Sequence, residues 1–216
     1  MKNHLVLILT LIFGFSLTTN AQEKENDEMQ YLFQNGVQVS GFGGATVSFG
    51  QVENEFATFT GGGGAALINQ KFFIGGFGEG LATQHKRDEI RIEGIDYNDV
   101  YTSFGYGGLW IGYIHEPNKM IHLKASLKLA GGALSITDSF EDLYDELYDD
   151  VVFVAIPEVG VQVNVLPWMR VGLDAGFRHV GSVDNTRNQI DQSYVFSASD
   201  FSGLHTTLSF MFGGFR

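Results

Sequence analysis

The sequence predicts an all-β protein, an eight-stranded antiparallel up-and-down transmembrane β-barrel. Three observations carry this prediction: eight long extended runs, connections that alternate between long and short, and side chains that alternate between apolar and polar along the runs. A tilted membrane strand needs about 9 to 11 residues, whereas strands of soluble domains usually have about 5 or 6. The runs have the length that a membrane strand requires.

The beginning of the chain lies outside the predicted fold. Lys2 precedes the apolar run Leu5–Leu17, and Thr19 and Ala21 stand where a cleavage site needs small residues. This is the anatomy of a secretory signal peptide, and the run is too short to span about 30 Å of bilayer as a helix. The predicted divisions are a signal peptide over 1–21, a polar periplasmic tail over 22–35 and the barrel over 36–216.

Composition excludes several classes of protein. The chain of 216 residues has a formal net charge of −12 and no cysteine, so disulfides and a lipoprotein anchor are excluded. Nucleic acid is not an expected partner, because phosphate binding requires basic patches. The 28 glycines, many aromatic residues and only 3 prolines favour β structure over disorder. No cofactor and no metal is expected.

The extended runs and their connections follow a regular order. The runs are Val37–Phe49, Phe56–Ile68, Phe72–His85, Val100–Ile114, Met120–Thr137, Val151–Val165, Met169–Gly181 and Phe201–Phe212. The connections at 50–55, 86–99, 138–150 and 182–200 are long, and those at 69–71, 115–119 and 166–168 are short. Outer-membrane barrels sort their loops this way, with short turns on the periplasmic side. An alternative stays open for 86–99, which can instead extend a hairpin above the membrane.

Charged residues lie on the polar face of the later runs, where side chains alternate with a period of two. In the seventh run, for example, Arg170, Asp174 and Arg178 share one face. The full set, with Glu79 included if it points inward, is Glu79, Lys124, Lys128, Glu158, Arg170, Asp174 and Arg178. Its near balance of charge predicts a lumen closed by ion pairs. A soluble periplasmic β protein, which would place the same residues in water, remains an alternative.

Glycines concentrate in the middle of the earlier runs, above all at Gly61–Gly64. No Lys-Ser/Thr pair and no helical pattern follows them, which argues against a phosphate-binding loop. Glycine within a strand marks a bend or a close approach. Strands two to five are therefore expected to form a thin wall that leaves room for long lumen side chains, a hypothesis that Gly63 and Gly107 can test.

The end of the chain is rich in aromatic residues, with Phe210, Phe212 and Phe215 in the last run. From Val37 to Arg216 the chain resembles, in architecture, the small outer-membrane barrels of the OmpA-transmembrane, OmpX and opacity-protein type. The resemblance implies an outer-membrane location, contact with outer-membrane lipid and lipopolysaccharide, and recognition of the last strand by the barrel-assembly machinery. The sequence departs from the pattern because Arg216 follows the last Phe and two glycines put Phe215 out of frame.

Two further segments contain candidate sites. The first is an acidic loop, where hard cations such as Ca²⁺ would find carboxylate ligands, although the spacing of a calcium loop is missing. Its carboxylates are Asp138, Glu141, Asp142, Asp145, Glu146, Asp149 and Asp150. A solvated, self-repelling loop is the main expectation, with a cation site or an extracellular ligand as alternatives.

The second segment is the outer end of the seventh run, which carries His179, Ser182 and Asp184. Small barrels of the lipid A deacylase type use a His that takes the proton of a Ser, with a carboxylate that fixes the His tautomer. Here the separation of three residues puts the His and the Ser on opposite faces of a strand, and His179 falls on the apolar frame. Eight strands also leave no wide channel. A non-catalytic structural, adhesion or surface-interaction role is the main prediction, and an acyl hydrolase is the alternative.

Overall fold

A computed structural model describes residues 36–92, 95–137, 146–182 and 197–215, and nearly all of them lie in strands. The strands are β1 Val39–Val52, β2 Glu55–Ile68, β3 Phe72–Leu81, β4 His85–Ile92, β5 Ile95–His115, β6 Ile121–Thr137, β7 Glu146–Leu166, β8 Met169–Gly181 and β9 Gly203–Gly213. A single helical turn, α1 Ala198–Phe201, precedes β9. Among these described residues, no helix has the length and apolar character needed to cross a membrane.

The strands close into a barrel of eight antiparallel strand positions, which confirms the predicted fold class. Pairing of β1 with β9 and of β3 with β5 completes the ring. β4 does not add a ninth strand position to the ring, because β3 and β4 pair one after the other along β5. Gly80 of β3 pairs with Gly105, and His85 of β4 pairs with Thr102. Over 86–99 the structure therefore has the hairpin that the sequence left as an alternative.

Several strands extend further than the sequence predicted. β5 begins at Ile95 instead of Val100, and β7 begins at Glu146 instead of Val151. These added segments are polar, so hydropathy does not reveal them, but backbone pairing does not depend on the polarity of side chains. β9 begins two residues later than predicted, because Phe201 belongs to α1.

The connection between β1 and β2 is a two-residue turn, and the prediction of a long connection over 50–55 is wrong. Glu53 and Asn54 have φ of 54° and 65°. Two positive φ values identify the type I′ turn, whose twist suits a tight hairpin. Asn69 and Gln70, with φ of 50° and 60°, form the same kind of turn between β2 and β3.

Side chains alternate between the two faces of every strand of the wall. In β8, for example, Leu173 and Phe177 are exposed, and Arg170, Asp174 and Arg178 are buried. The outward face is strongly apolar, with Val151 73% and Leu204 81% exposed. The earlier strands, whose faces the sequence left open, follow the same rule. In β2, Phe59 and Leu67 are buried in the lumen, and because side chains alternate, Gly61 and Gly63 also point inward.

The interior is filled in layers. We call the end with the short connections 69–71, 116–120 and 167–168 the turn end, and the opposite end the loop end. The loop-end layer includes Phe59, Phe104, Leu134, Ile156 and Phe201. The turn-end layer contains Leu67, Phe73, Trp110, Ile114 and Met211. The buried side chains of Glu79, Lys128 and Glu158 lie between these two apolar layers.

Candidate functional site

A buried ion-pair cluster crosses the lumen between the two apolar layers. Lys128 Nζ on β6 lies 2.6 Å from Glu79 Oε1 on β3 and 3.2 Å from Glu158 Oε1 on β7. All three side chains are buried, and β3 and β6 are not neighbours in the wall. Because low-dielectric surroundings strengthen such attractions, the ammonium group ties separate parts of the barrel together.

Hydroxyl groups complete the hydrogen bonding of the two carboxylates. Tyr106 Oη donates to Glu79 Oε2 at 3.0 Å. Ser126 Oγ donates to Glu158 Oε2 at 3.1 Å, and Thr207 Oγ1 donates to Glu158 Oε1 at 3.1 Å. A buried ion pair is favourable only when additional hydrogen bonds satisfy its remaining oxygens. This cluster meets that condition with side chains from β5, β6 and β9.

His205 lies beside the same two carboxylates. Its Nε2 is 3.7 Å from Glu79 Oε2 and 3.8 Å from Glu158 Oε1, and its ring is buried. These separations exceed a normal hydrogen bond. The imidazole therefore fills the space between the acids, and it would strengthen the cluster electrostatically only when protonated.

A second ion pair lies nearer the turn end. Lys124 Nζ is 2.6 Å from Asp174 Oδ2, and both side chains are buried. The ammonium also lies 5.2 Å from the ring centre of Trp110, within the range of a cation–π contact. This pair links β6 to β8 across β7.

Each buried carboxylate of these pairs faces a glycine on the adjacent strand. Glu79 pairs with Gly61, Glu158 with Gly176 and Asp174 with Gly160. A Cβ at Gly61 would lie 2.9 Å from Glu79 Cγ, and one at Gly176 would lie 3.0 Å from Glu158 Cγ. Such contacts are too close for ordinary packing, so the glycines provide the volume that the acidic side chains occupy.

The two arginines of β8 do not join these ion pairs. Arg178, at the loop end, donates from Nε to Phe201 O and from Nη2 to Gln51 O, both at 2.7 Å. Its guanidinium lies 4.4 Å from the ring centre of Phe59 and 5.5 Å from that of Phe104. Arg178 thus fixes α1 over the loop end of the lumen.

Arg170 has a similar position at the turn end. Its Nε donates to Asn164 Oδ1 at 2.7 Å, and its guanidinium lies 4.1 Å from the ring centre of Phe215. Phe215 also lies near Phe42, with ring centres 6.0 Å apart. Gly213 and Gly214 put Phe215 out of frame with Phe212. The aromatic ring of Phe215 closes the turn end of the lumen.

The structure thus brings together most of the predicted lumen charges. Glu79 points inward and forms an ion pair with Lys128. Lys124 forms an ion pair with Asp174. Arg170 and Arg178 are buried in the lumen, but neither forms an ion pair with a carboxylate of the described residues. Sequence reasoning missed Tyr106 and His205. The alternation of the last strand places His205 on the polar face, whereas the glycines around Tyr106 obscure its orientation.

The candidate catalytic residues lie at the loop end, outside the lumen. His179 and Ser182 are both exposed, and within the described part of the chain no hydrogen bond joins them. Ser182 has a φ of 62°, which ends the regular strand. Asp184 lies outside the described residues. The structure therefore does not assemble the His and the Ser into a catalytic pair.

The acidic loop is described only in part. Residues Asp138, Glu141, Asp142 and Asp145 lie outside the described residues. The backbone of Glu146 and Asp149 belongs to β7, and Asp150 is 5% exposed in the same strand. Among the described residues, no group of His, Cys, Asp or Glu has the arrangement of a metal site. The proposed cation site remains a prediction.

No family model and no curated protein matches this sequence. Among solved structures, Neisserial surface protein A is similar, with a TM-score of 0.50 at 10% identity, over 84% of this chain and 99% of that one. Ail, the attachment invasion locus protein of Yersinia pestis, gives a TM-score of 0.45 at 12% identity, over 81% of this chain and 96% of that one. The chain has the fold of the small outer-membrane β-barrels. At this level of identity the likeness concerns the fold alone.

Proposed function

We propose that the mature protein is an integral outer-membrane barrel with a structural or surface-interaction role and no catalytic activity. The observation that carries the proposal is the inverted distribution of side chains. Exposed Leu, Val and Phe form the outer face, whereas Glu79, Lys128 and Glu158 are buried inside. A membrane barrel requires this arrangement, and a soluble β protein would reverse it. The signal peptide delivers the chain to the periplasm, and the turn end faces that side.

The filled interior supports a role other than transport. Apolar layers at both ends enclose the ion-pair cluster, and eight strands leave a lumen just wide enough for side chains. Purified protein in planar lipid bilayers should therefore give no steady conductance steps. On a denaturing gel, unboiled protein should migrate differently from boiled protein, because folded barrels resist the detergent. Stable ohmic pores, or identical migration in both lanes, would contradict the proposal.

The hairpin of β4 and β5 supports a surface-interaction role. β4 is an edge strand that pairs only with β5 among the described residues, and it extends the wall beyond the loop end. An exposed edge offers unpaired backbone groups to an extended segment of another protein. Replacement of residues 88–99 by Asn-Gly joins Arg87 to Val100, which pair across the hairpin, by a two-residue turn; it removes most of that edge and keeps the buried Val100. The shortened barrel should keep its gel mobility shift and lose adherence of expressing cells to host-cell surfaces.

Two membrane partners follow from the same proposal. Outer-membrane lipid and lipopolysaccharide surround the apolar face, and the barrel-assembly machinery recognises β9. Phe212 is exposed on the outward face and stacks on Trp168, with ring centres 6.0 Å apart. Phe212 rather than Phe215 therefore supplies the outward aromatic residue at the end of the last strand.

An acyl hydrolase at the rim is the second candidate, and one observation favours it. Ser182 borders an outward apolar groove of about 420 Å³ with Leu129, Gly131 and Phe153. A lipid acyl chain lying there would pass the Ser182 hydroxyl. Lipid A mass spectra from cells with the wild-type protein, the Ser182→Ala variant or neither test this candidate. A lost acyl chain that depends on Ser182 would establish the enzyme, and identical spectra would exclude it.

A further inference from the structure

Two apolar grooves meet on the outward face near the turn end. The β7-side groove, about 400 Å³, is bordered by Tyr113, His115, Leu123, Ala125, Val159 and Val161. The β3-side groove, about 560 Å³, is bordered by Phe72, Ile74, Ile111, Tyr113, Ala125 and Leu127. Tyr113 and Ala125 belong to both, so the two grooves flank one shared ridge.

The small side chain of Ala125 creates this arrangement. Ala125 pairs with Tyr113 on β5 and with Val159 on β7, so it lies between two larger residues in one row of the sheet. All three side chains are exposed on the outward face. Along β6, Leu123 and Leu127 flank the same position. The methyl group of Ala125 leaves space that a longer side chain would fill.

Cationic groups lie at the turn end of the grooves. The amide of Ile114 donates to Lys71 O at 2.7 Å, which holds Lys71 beside the end of β5. Lys71 is exposed and forms no ion pair with a described residue. His115 Nε2 and Lys119 Nζ lie 3.6 Å and 2.8 Å from Glu116 Oε2. The hydrogen bond from Lys119 lowers the pKa of Glu116, so this pair stays ionised and the Lys119 ammonium is held by its carboxylate partner.

We propose that this face binds one anionic phospholipid of the periplasmic leaflet. Its two acyl chains lie in the two grooves on either side of the Tyr113–Ala125 ridge, and its phosphate lies near Lys71. The inference rests on the proposed membrane location. Lipid chains surround the whole barrel, so apolar contact alone gives little preference among lipids. Preference comes from the headgroup, at about fivefold for each cation near it.

The proposal predicts a lipid complex with defined composition. Full-length mature protein in detergent, mixed with equal amounts of dioleoyl phosphatidylglycerol and dioleoyl phosphatidylethanolamine, is examined by native mass spectrometry. A single bound lipid should be retained, with phosphatidylglycerol preferred. Lys71→Gln should reduce that preference about fivefold. Ala125→Trp fills both grooves and should abolish the complex. Ala45→Trp, at an exposed outward alanine of β1 that borders neither groove, is the matched control and should bind as the wild type does.

The outcomes distinguish this inference from the membrane proposal. Each variant is first checked for the mobility shift of the folded barrel, so loss of lipid in a folded variant concerns the site alone. Equal retention of the two lipids by the wild type would overturn the inference. A complex that survives Ala125→Trp would do the same. A protein dimer that is lost only in Ala125→Trp would instead assign the grooves to a second copy of the chain.

Discussion

The two sides of the barrel wall are built in opposite ways. From β1 to β5, glycine is frequent on both faces at mid-height: the outward row runs Ala45–Gly62–Gly78–Gly107, and Gly61 and Gly63 of β2 point inward. From β6 to β9 the wall carries long side chains on both faces, with Lys128, Glu158 and Arg178 pointing inward. The first side contributes volume to the lumen, and the second fills it.

The comparison shows how a small barrel accommodates a buried charge cluster. In β1, β2 and β3, Glu79 is the charged side chain that enters the lumen, and it reaches Lys128 from the glycine-rich side. Its cross-strand partner is Gly61, which leaves it space. The ion pairs therefore do more than balance charge, because they connect the two sides of the wall.

The largest expected effect follows from removing the cation of the cluster. Lys128→Met leaves the Glu79 and Glu158 carboxylates buried without their ammonium partner, which should lower the free energy of unfolding by about 3–5 kcal/mol. Urea titration of the barrel in lipid vesicles measures this quantity. Lys119→Met, at an exposed turn, is the control and should change it by less than about 0.5 kcal/mol. Equal stability of the two variants would mean that the cluster does not hold the sides together.

Arg178 connects the two sides at the loop end and should have the next largest effect. Arg178→Met removes donors from Phe201 O and Gln51 O, which should cost about 2–3 kcal/mol because each carbonyl loses a charged partner. Arg178→Lys keeps the charge but cannot donate to both carbonyls in the same fork-like geometry. Protease cleavage near α1 in intact cells should increase in the Met variant and less in the Lys variant. Unchanged cleavage in both would show that α1 is held by other contacts.

The two sides also differ in how far the sequence predicts them. In β8, strict alternation places Arg170, Asp174 and Arg178 on one face, and the structure agrees. In β2, Gly61–Gly64 erases the alternation, so inward and outward positions become clear only when the neighbouring strands are known. The sequence likewise does not distinguish a charged side chain that forms an ion pair from one that donates to backbone carbonyls and stacks on aromatic rings. Lys128 finds two carboxylates and Arg178 finds backbone carbonyls, because the topology decides which groups lie within reach.

Substitution of glycine tests the thin wall directly. A Cβ at Gly63 would lie 2.7 Å from Gly76 O and 3.1 Å from Phe77 Cβ, whereas one at Gly131 meets nothing within 4 Å. Gly63→Val should therefore lower the free energy of unfolding by about 1–3 kcal/mol through overpacking. Gly107→Val, whose Cβ would lie 3.0 Å from Phe77 O on the outward face, should cost less. Gly131→Val is the control. If the three variants have equal stability in urea, the thin wall has no role in making space.

The smallest expected effect concerns His85, where β4 continues the glycine-rich side beyond the loop end. Burial lowers the pKa of His85 below its usual value of 6.5, and the Glu55 carboxylate, 3.4 Å away, opposes the shift. Since the unfolded chain takes up this proton more readily, the free energy of unfolding is unaffected above about pH 6.5 and decreases as the pH falls below it. His85→Gln should remove this dependence. Urea titrations of both proteins at about pH 7.5 and pH 5.5 measure the difference in slope. Parallel slopes would show that the His85 site tolerates the proton, and that the extension, unlike the lumen below it, is open to water.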